Sequence, residues 1–139
     1  MIEILDVRNQ LSEVGRVNQV LRDLWASHGL PPDFEDPVTL CIEEVLSNVI
    51  RHGCQPGRDY DIKVRYRLVD EHPGGIELEV SDNATPFDPL TLPPPNLDLP
   101  IEQRKPGGLG VFLVRQLMDD VRYEYRDGRN HLRFRKRWE

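Results

Sequence analysis

Three short stretches of the chain carry side chains that could do chemistry. The first is Glu43-Glu44-Val45-Leu46-Ser47-Asn48-Val49-Ile50-Arg51-His52-Gly53. Read as a helix, it stacks Glu44, Asn48 and His52 at successive turns on one polar edge, with Gly53 available as a stop. A carboxylate on such an edge is a potential proton acceptor, and a side-chain amide oxygen is a hard, uncharged ligand for Mg²⁺. The second stretch is Asp82-Asn83, at the end of an alternating run. Its carboxylate can accept a hydrogen bond from an exocyclic amine, or the pair can simply begin a turn. The third is Gly107-Gly108-Leu109-Gly110, directly before an apolar segment. Glycines entering a helix let backbone amides close on phosphate oxygens while the helix N-terminus adds partial positive charge, although glycines also serve tight turns and close helix packing. The run is neither a P-loop nor a dinucleotide fingerprint.

Each stretch needs a rigid support, and the surrounding pattern supplies one. Val38, Cys41, Ile42, Val45, Leu46 and Val49 form an apolar stripe beside the Glu44/Asn48 edge, so that helix can be anchored in a core while its polar edge faces a cleft. The spacing predicts its start at Asp36 as cap, with Pro37 in the first helical position, and its end near His52. An earlier helix is expected from about Leu11 to Trp25, ending near Gly29, because Leu11, Val14, Val17, Leu21, Leu24 and Trp25 recur at three- and four-residue steps. A third follows the glycines, over Val111 to Met118, and stops at Asp119-Asp120.

Between the helices the period is two. Ile62, Val64, Tyr66 and Leu68 alternate with Lys63, Arg65 and Arg67; after the turn-rich 70–75, Ile76, Leu78 and Val80 alternate with Glu77, Glu79 and Ser81. This is a hairpin with one wet face, basic on one strand and acidic on the other, and a solvated sheet face is the expectation there. A second hairpin pairs Val121, Tyr123 and Tyr125 with Leu132 and Phe134 through the turn Asp127-Gly128-Arg129-Asn130. Residues 2–7 could add a short strand. Four or five antiparallel strands and three helices, each with one apolar side, pack most economically as an α+β two-layer sandwich with all helices on one face of the sheet. From Pro86 to Pro106 composition shifts, with seven of the twelve prolines in 21 residues. Such a segment cannot be a helix interior or central strand, and is read as a lid over about 86–106, with a plain variable loop as the alternative.

The whole chain bounds the function. Its 139 residues suit a single domain spanning 1–139. Cys41 and Cys54 form neither a disulfide framework nor a zinc pattern, no apolar run approaches a membrane span, and Met1 to Asp6 lacks the features of an export signal, so the cytoplasm is the expected location, without a membrane. A net charge of −6 argues against general nucleic-acid binding, despite the basic end at Arg129, Arg133, Arg135, Lys136 and Arg137.

In order along the chain, Glu44-x-x-x-Asn48 on a helix, Asp82 after a strand, a long lid and Gly107-Gly108-Leu109-Gly110 before a helix together resemble the GHKL-type (Bergerat) ATP-binding domain shared by gyrase, MutL and histidine kinases. The likeness covers nearly the whole chain. It is greatest to the small anti-sigma factor serine/threonine kinases of bacterial partner-switching systems, in the run Glu44 to His52, in Pro86-Phe87-Asp88-Pro89 and in the stretch Gly107 to Asp120. The resemblance implies Glu44 as the catalytic base and Asn48 as the Mg²⁺ ligand on ATP. It places Asp82 against adenine, and Gly107, Gly108 and Gly110 around the phosphates. Arg104 or Lys105 would reach the γ-phosphate, and Arg51, His52, Phe87, Leu109 and Val111 would complete the ATP site. It further implies a STAS-domain anti-anti-sigma protein as substrate, a sigma factor as the sequestered target, and a homodimer.

One box departs from the family pattern. Where the relatives usually read Asp-x-Gly-x-Gly, this chain has Ala84 and Pro86 in place of the glycines. Alternatives to the anti-sigma kinase are therefore a non-catalytic ATP-binding switch module, the same kinase acting on a target other than sigma, and a detached histidine-kinase domain. For the last, none of His28, His52, His72 or His131 sits in an evident dimerisation helix.

Overall fold

The computed structural model describes residues 2–70, 74–91, 98, 100 and 108–138. Five strands form one antiparallel sheet: β1 (Ile2–Val7), β2 (Ile62–Val69), β3 (Gly75–Asp82), β4 (Asp120–Arg126) and β5 (Arg129–Arg137). Their order is β1-β2-β3-β5-β4, so the chain places β3 at the centre and pairs it with β5, a strand about fifty residues away. Three helices, α1 (Ser12–His28), α2 (Glu35–Asn48) and α3 (Gly108–Leu117), contribute to the layer above. The expected α+β two-layer sandwich is the observed one, and the short N-terminal strand exists, held to β2 from Ile2↔Arg67 to Val7↔Ile62.

Strand parity fixes which face is dry. Ile62, Val64 and Tyr66 of β2, Ile76, Leu78 and Val80 of β3 and Leu132 and Phe134 of β5 are all buried, and they meet Val17, Leu21 and Trp25 of α1 and Val38, Ile42, Val45 and Leu46 of α2 in one core. Fully burying a side chain such as Leu21, Ile42, Leu78 or Phe134 stabilises the fold by roughly 1.5–3 kcal/mol each. α1 ends as its glycine requires: Gly29 has φ 58°, and its N–H donates to the carbonyl of Trp25. Trp25 lies edge-on to Trp138 with ring centroids 5.6 Å apart, and Phe34 stacks on Trp138 at 5.3 Å, tying the end of β5 to the turn between α1 and α2.

Three local expectations are corrected. A single 3-10 turn (Pro32–Phe34) leads into α2, which begins at Glu35, not at a cap on Asp36. The Asp36 carboxylate instead meets Arg22 of α1 at 3.3 Å, beside the 2.6 Å pair of Arg22 with Glu35, so it bridges two helices. Pro37 is still in the first turn, where its missing N–H costs nothing. The second correction is at the end of α2, which does not stop cleanly but widens into a π-helical turn over Val49–Gly53. The third concerns the outer sheet face. Arg67 and Glu77 pair across β2 and β3 at 2.8 Å as the alternation suggested, but Glu79 is only 6% exposed. His131 and Arg133 hold its carboxylate at 3.2 and 3.1 Å, and Arg65 reaches it from the other side at 3.9 Å; the stems of the two arginines and the imidazole flank a position that alternation marks as wet.

Candidate functional site

A cavity of about 390 Å³ opens where the last turn of α2, the end of β3 and the first turns of α3 meet. Its walls are mostly apolar, from Val45, Val49, Val80, Val111 and Leu132, with Asn48, His52, Asp82 and Asn130 as convergent polar groups. This is the usual character of a small-molecule pocket, in which apolar area supplies affinity and a few polar groups supply orientation. The π-helical turn runs along one wall, with Val49, His52 and Gly53 all lining it; such widened turns recur at functional sites.

Asn48, His52, Asp82, Phe87 and Val111, all expected at a site from the sequence, line this one cavity. Glu44 stands one turn before Asn48, packed against α3 and not among the cavity's lining residues. A Cβ built on Gly110 would meet Glu44 Oε2 at 2.8 Å and Asn48 Nδ2 at 3.3 Å, so the missing side chain is what lets α3 approach the Glu44/Asn48 edge so closely. Gly108 and Leu109 form the start of α3 beside that contact. Arg51 is exposed on the π-helical turn and does not line the cavity. Arg104, Lys105 and Gly107, and most of the expected lid, lie outside the described residues. The near end of that segment is tied down: Asp88 Oδ1 accepts from the N–H of Leu90 at 2.8 Å, and Arg115 of α3 donates to the Leu90 carbonyl at 2.7 Å.

The sequence reading missed Asn130. The turn of the last hairpin is only Asp127-Gly128, with φ 53° and 75°, and Asn130 already belongs to β5, directly opposite Asp82 of β3. Its Nδ2 donates to Asp82 Oδ1 at 2.9 Å and to the carbonyls of Thr85 and Ala84 at 3.1 and 3.4 Å, while its Oδ1 accepts from the N–H of Phe87 at 3.0 Å and from the hydroxyl of Tyr123. Burial holds the Tyr123 phenol above its ordinary range, with Asp88 and Asp82 adding to the shift. Hairpin periodicity carries no sign of this cluster, because the pairing of β3 with β5 crosses the intervening helix. Neither cysteine contributes a thiolate: burial, reinforced by Glu44, pushes Cys41 up to about 12, and burial also raises Cys54.

The family model for the histidine kinase-like ATPase domain matches residues 7–136, which is most of the chain and includes every element around the cavity. The chain belongs to the histidine kinase-like ATPase family. Among the relatives of this ATPase domain, the serine/threonine-protein kinase BtrW of Bordetella bronchiseptica is 32% identical over 112 residues, spanning 81% of this chain and 73% of that one. The serine-protein kinase RsbW of Listeria innocua is 28% identical over 128 residues, spanning 89% of this chain and 78% of its own. The crystal structure of the RsbU and RsbW domains of Rv1364c from Mycobacterium tuberculosis shares the ATPase fold at a TM-score of 0.68 and 16% identity; it covers 99% of this chain, which spans only 32% of that longer one.

Proposed function

We propose that the chain is an ATP-dependent serine/threonine kinase of the anti-sigma type, whose substrate is a serine hydroxyl on a STAS-domain anti-anti-sigma partner and whose alternative partner is a sigma factor. The observation that carries this reading is the meeting of Asn48, Asp82 and the first turn of α3, through Val111, about one largely apolar cavity, with Glu44 one turn before Asn48 and against Gly110. Two relatives bearing serine kinase names support the reaction class.

In this reading Asp82 accepts a hydrogen bond from the amino group of adenine, while Val49, Val80, Val111 and Leu132 cover the ring faces. The backbone amides that open α3 receive the phosphates, and the helix N-terminus favours their charge. Mg²⁺ fits the donor set, since Asn48 offers a hard neutral oxygen at the cavity wall, and when bound the ion neutralises charge on the phosphates. Glu44 orients the serine hydroxyl and takes its proton as the oxygen attacks the γ-phosphoryl group and ADP departs. Positioning carries most of the rate in such transfers.

A second reading, in which ATP binds without turnover, is favoured by Ala84 and Pro86, which replace the glycines usual after the aspartate. One experiment separates the two: incubation with Mg-ATP and the cognate STAS protein. Stoichiometric phosphoserine with the unaltered chain and none with Glu44→Gln supports the kinase. ATP binding without transfer supports the switch module, and undiminished transfer by Glu44→Gln removes that residue from the base role.

A further inference from the structure

Asp82 has two oxygens, and one is already committed inside the protein. Oδ1 accepts from Nδ2 of Asn130 at 2.9 Å and from the N–H of Ala84 at 3.0 Å. Both residues line the cavity and both are nearly buried, Asp82 at 5% exposure and Asn130 at 7%. The Asn130 amide cannot be turned over without loss: its nitrogen faces three acceptors, and its oxygen faces the N–H of Phe87 and the hydroxyl of Tyr123. Reversal would oppose oxygen to oxygen on one side and N–H to N–H on the other.

From this arrangement we infer that Asn130 is the specificity-determining residue of the site. By donating to Oδ1, and by holding the backbone of Ala84, Thr85 and Phe87 around it, Asn130 fixes the orientation of the Asp82 carboxylate and leaves its second oxygen as the acceptor offered to a ligand. A base with an amino group at its pairing edge satisfies such a group. A base with an oxo group there sets two acceptors against each other in a desolvated pocket, and sites built on buried polar groups discriminate strongly in that situation. Three of these hydrogen bonds, to Ala84, Thr85 and Phe87, explain how the segment after Asp82 is held although Ala84 and Pro86 stand where relatives have glycine: a side chain from the neighbouring strand does the fastening. The inference rests on the nucleotide reading proposed above and adds the residue that sets base preference.

The test compares equilibrium binding of Mg-ATP and Mg-inosine triphosphate, which differ in the amino or oxo group at the six position, to the full chain and to Asn130→Asp and Asn130→Ala. Asn130→Asp is nearly isosteric but places an oxygen 2.9 Å from Asp82 Oδ1. Two carboxyls at that distance share a proton, and the pair becomes able to donate. The preference of the unaltered chain for ATP over inosine triphosphate is expected to fall by about tenfold or more in Asn130→Asp, and by a smaller factor in Asn130→Ala, where the anchor is lost without a new donor. If Asn130→Asp does not fold, the ratio in Asn130→Ala decides. A loss of both affinities in parallel, with the ratio unchanged, overturns the inference and leaves Asn130 a structural fastener. Failure of the unaltered chain to bind either triphosphate overturns the nucleotide reading and this inference with it.

Discussion

Gly110 and Glu44 touch across the α2–α3 interface: a Cβ at position 110 would lie 2.8 Å from Glu44 Oε2 and 3.4 Å from Glu44 Cβ. The glycine therefore shapes the carboxylate's position as well as any phosphate contact its own amide makes. Gly110→Ala is expected to push the carboxylate aside and to lower the phosphoryl-transfer rate on the order of a hundredfold, as small misplacements of catalytic groups do. Single-turnover kinetics with the STAS substrate, alongside calorimetric ATP binding, checks this. A rate loss matched by an equal loss of ATP affinity would show that Gly110 acts on the phosphates alone.

Asn48 lies one turn beyond Glu44 on a half-buried edge of α2, so shortening it should spare the core. Asn48→Ala is expected to abolish the magnesium-dependent part of ATP binding and to leave thermal unfolding within about 1 kcal/mol of the unaltered chain. Titration calorimetry with and without magnesium measures the first, and a melting curve the second. Unchanged Mg-ATP affinity would free the metal assignment for another residue.

Glu79 gives the fold an acid limb. Burial on its own would raise this carboxyl, but the hydrogen bonds from His131 and Arg133 outweigh it and hold the group below its ordinary value of 4.5. A carboxyl depressed in the folded state contributes stability above its unfolded value, and that contribution drains away as the pH falls through the folded one. Glu79→Gln should therefore cost about 1–3 kcal/mol near neutrality, with the gap to the unaltered chain closing below about pH 4.5. Urea unfolding from pH 7 to pH 3 follows that closing, and a gap independent of pH would mean that the charge of Glu79 is not what stabilises the cluster.

Trp138→Ala removes a ring that Phe34 stacks on and Trp25 meets edge-on. The expected loss is about 2–4 kcal/mol in urea unfolding, since a partly buried aromatic pair is being replaced by a gap. ATP affinity should be unaffected, because neither tryptophan lines the cavity. A weakened site with intact stability would contradict the division of the molecule into these two ends.

The architecture was legible wherever one face of an element is buried. The stripe of α1, the glycine at its end, both hairpins and the edge formed by Glu44 and Asn48 follow from spacing alone, because burial imposes a period that the chain must display. What stayed hidden depends on neighbours distant in sequence. Glu79 reads as a wet strand position until Arg65 and Arg133 are seen to flank it, Asp36 reads as a cap until Arg22 of α1 claims it, and Asn130 reads as a turn residue until β5 is laid beside β3. The widening of α2 past Asn48 has no local signature at all, since Val49-Ile50-Arg51-His52 would continue an ordinary helix equally well.

The contact between Trp25 and Trp138 has a practical outcome for spectroscopy. The chain has two tryptophans, and both report from one aromatic cluster remote from the cavity walls. Their emission is thus a clean gauge of unfolding that occupancy should barely disturb, and ligand titrations followed by intrinsic fluorescence would read as silent even while the pocket fills.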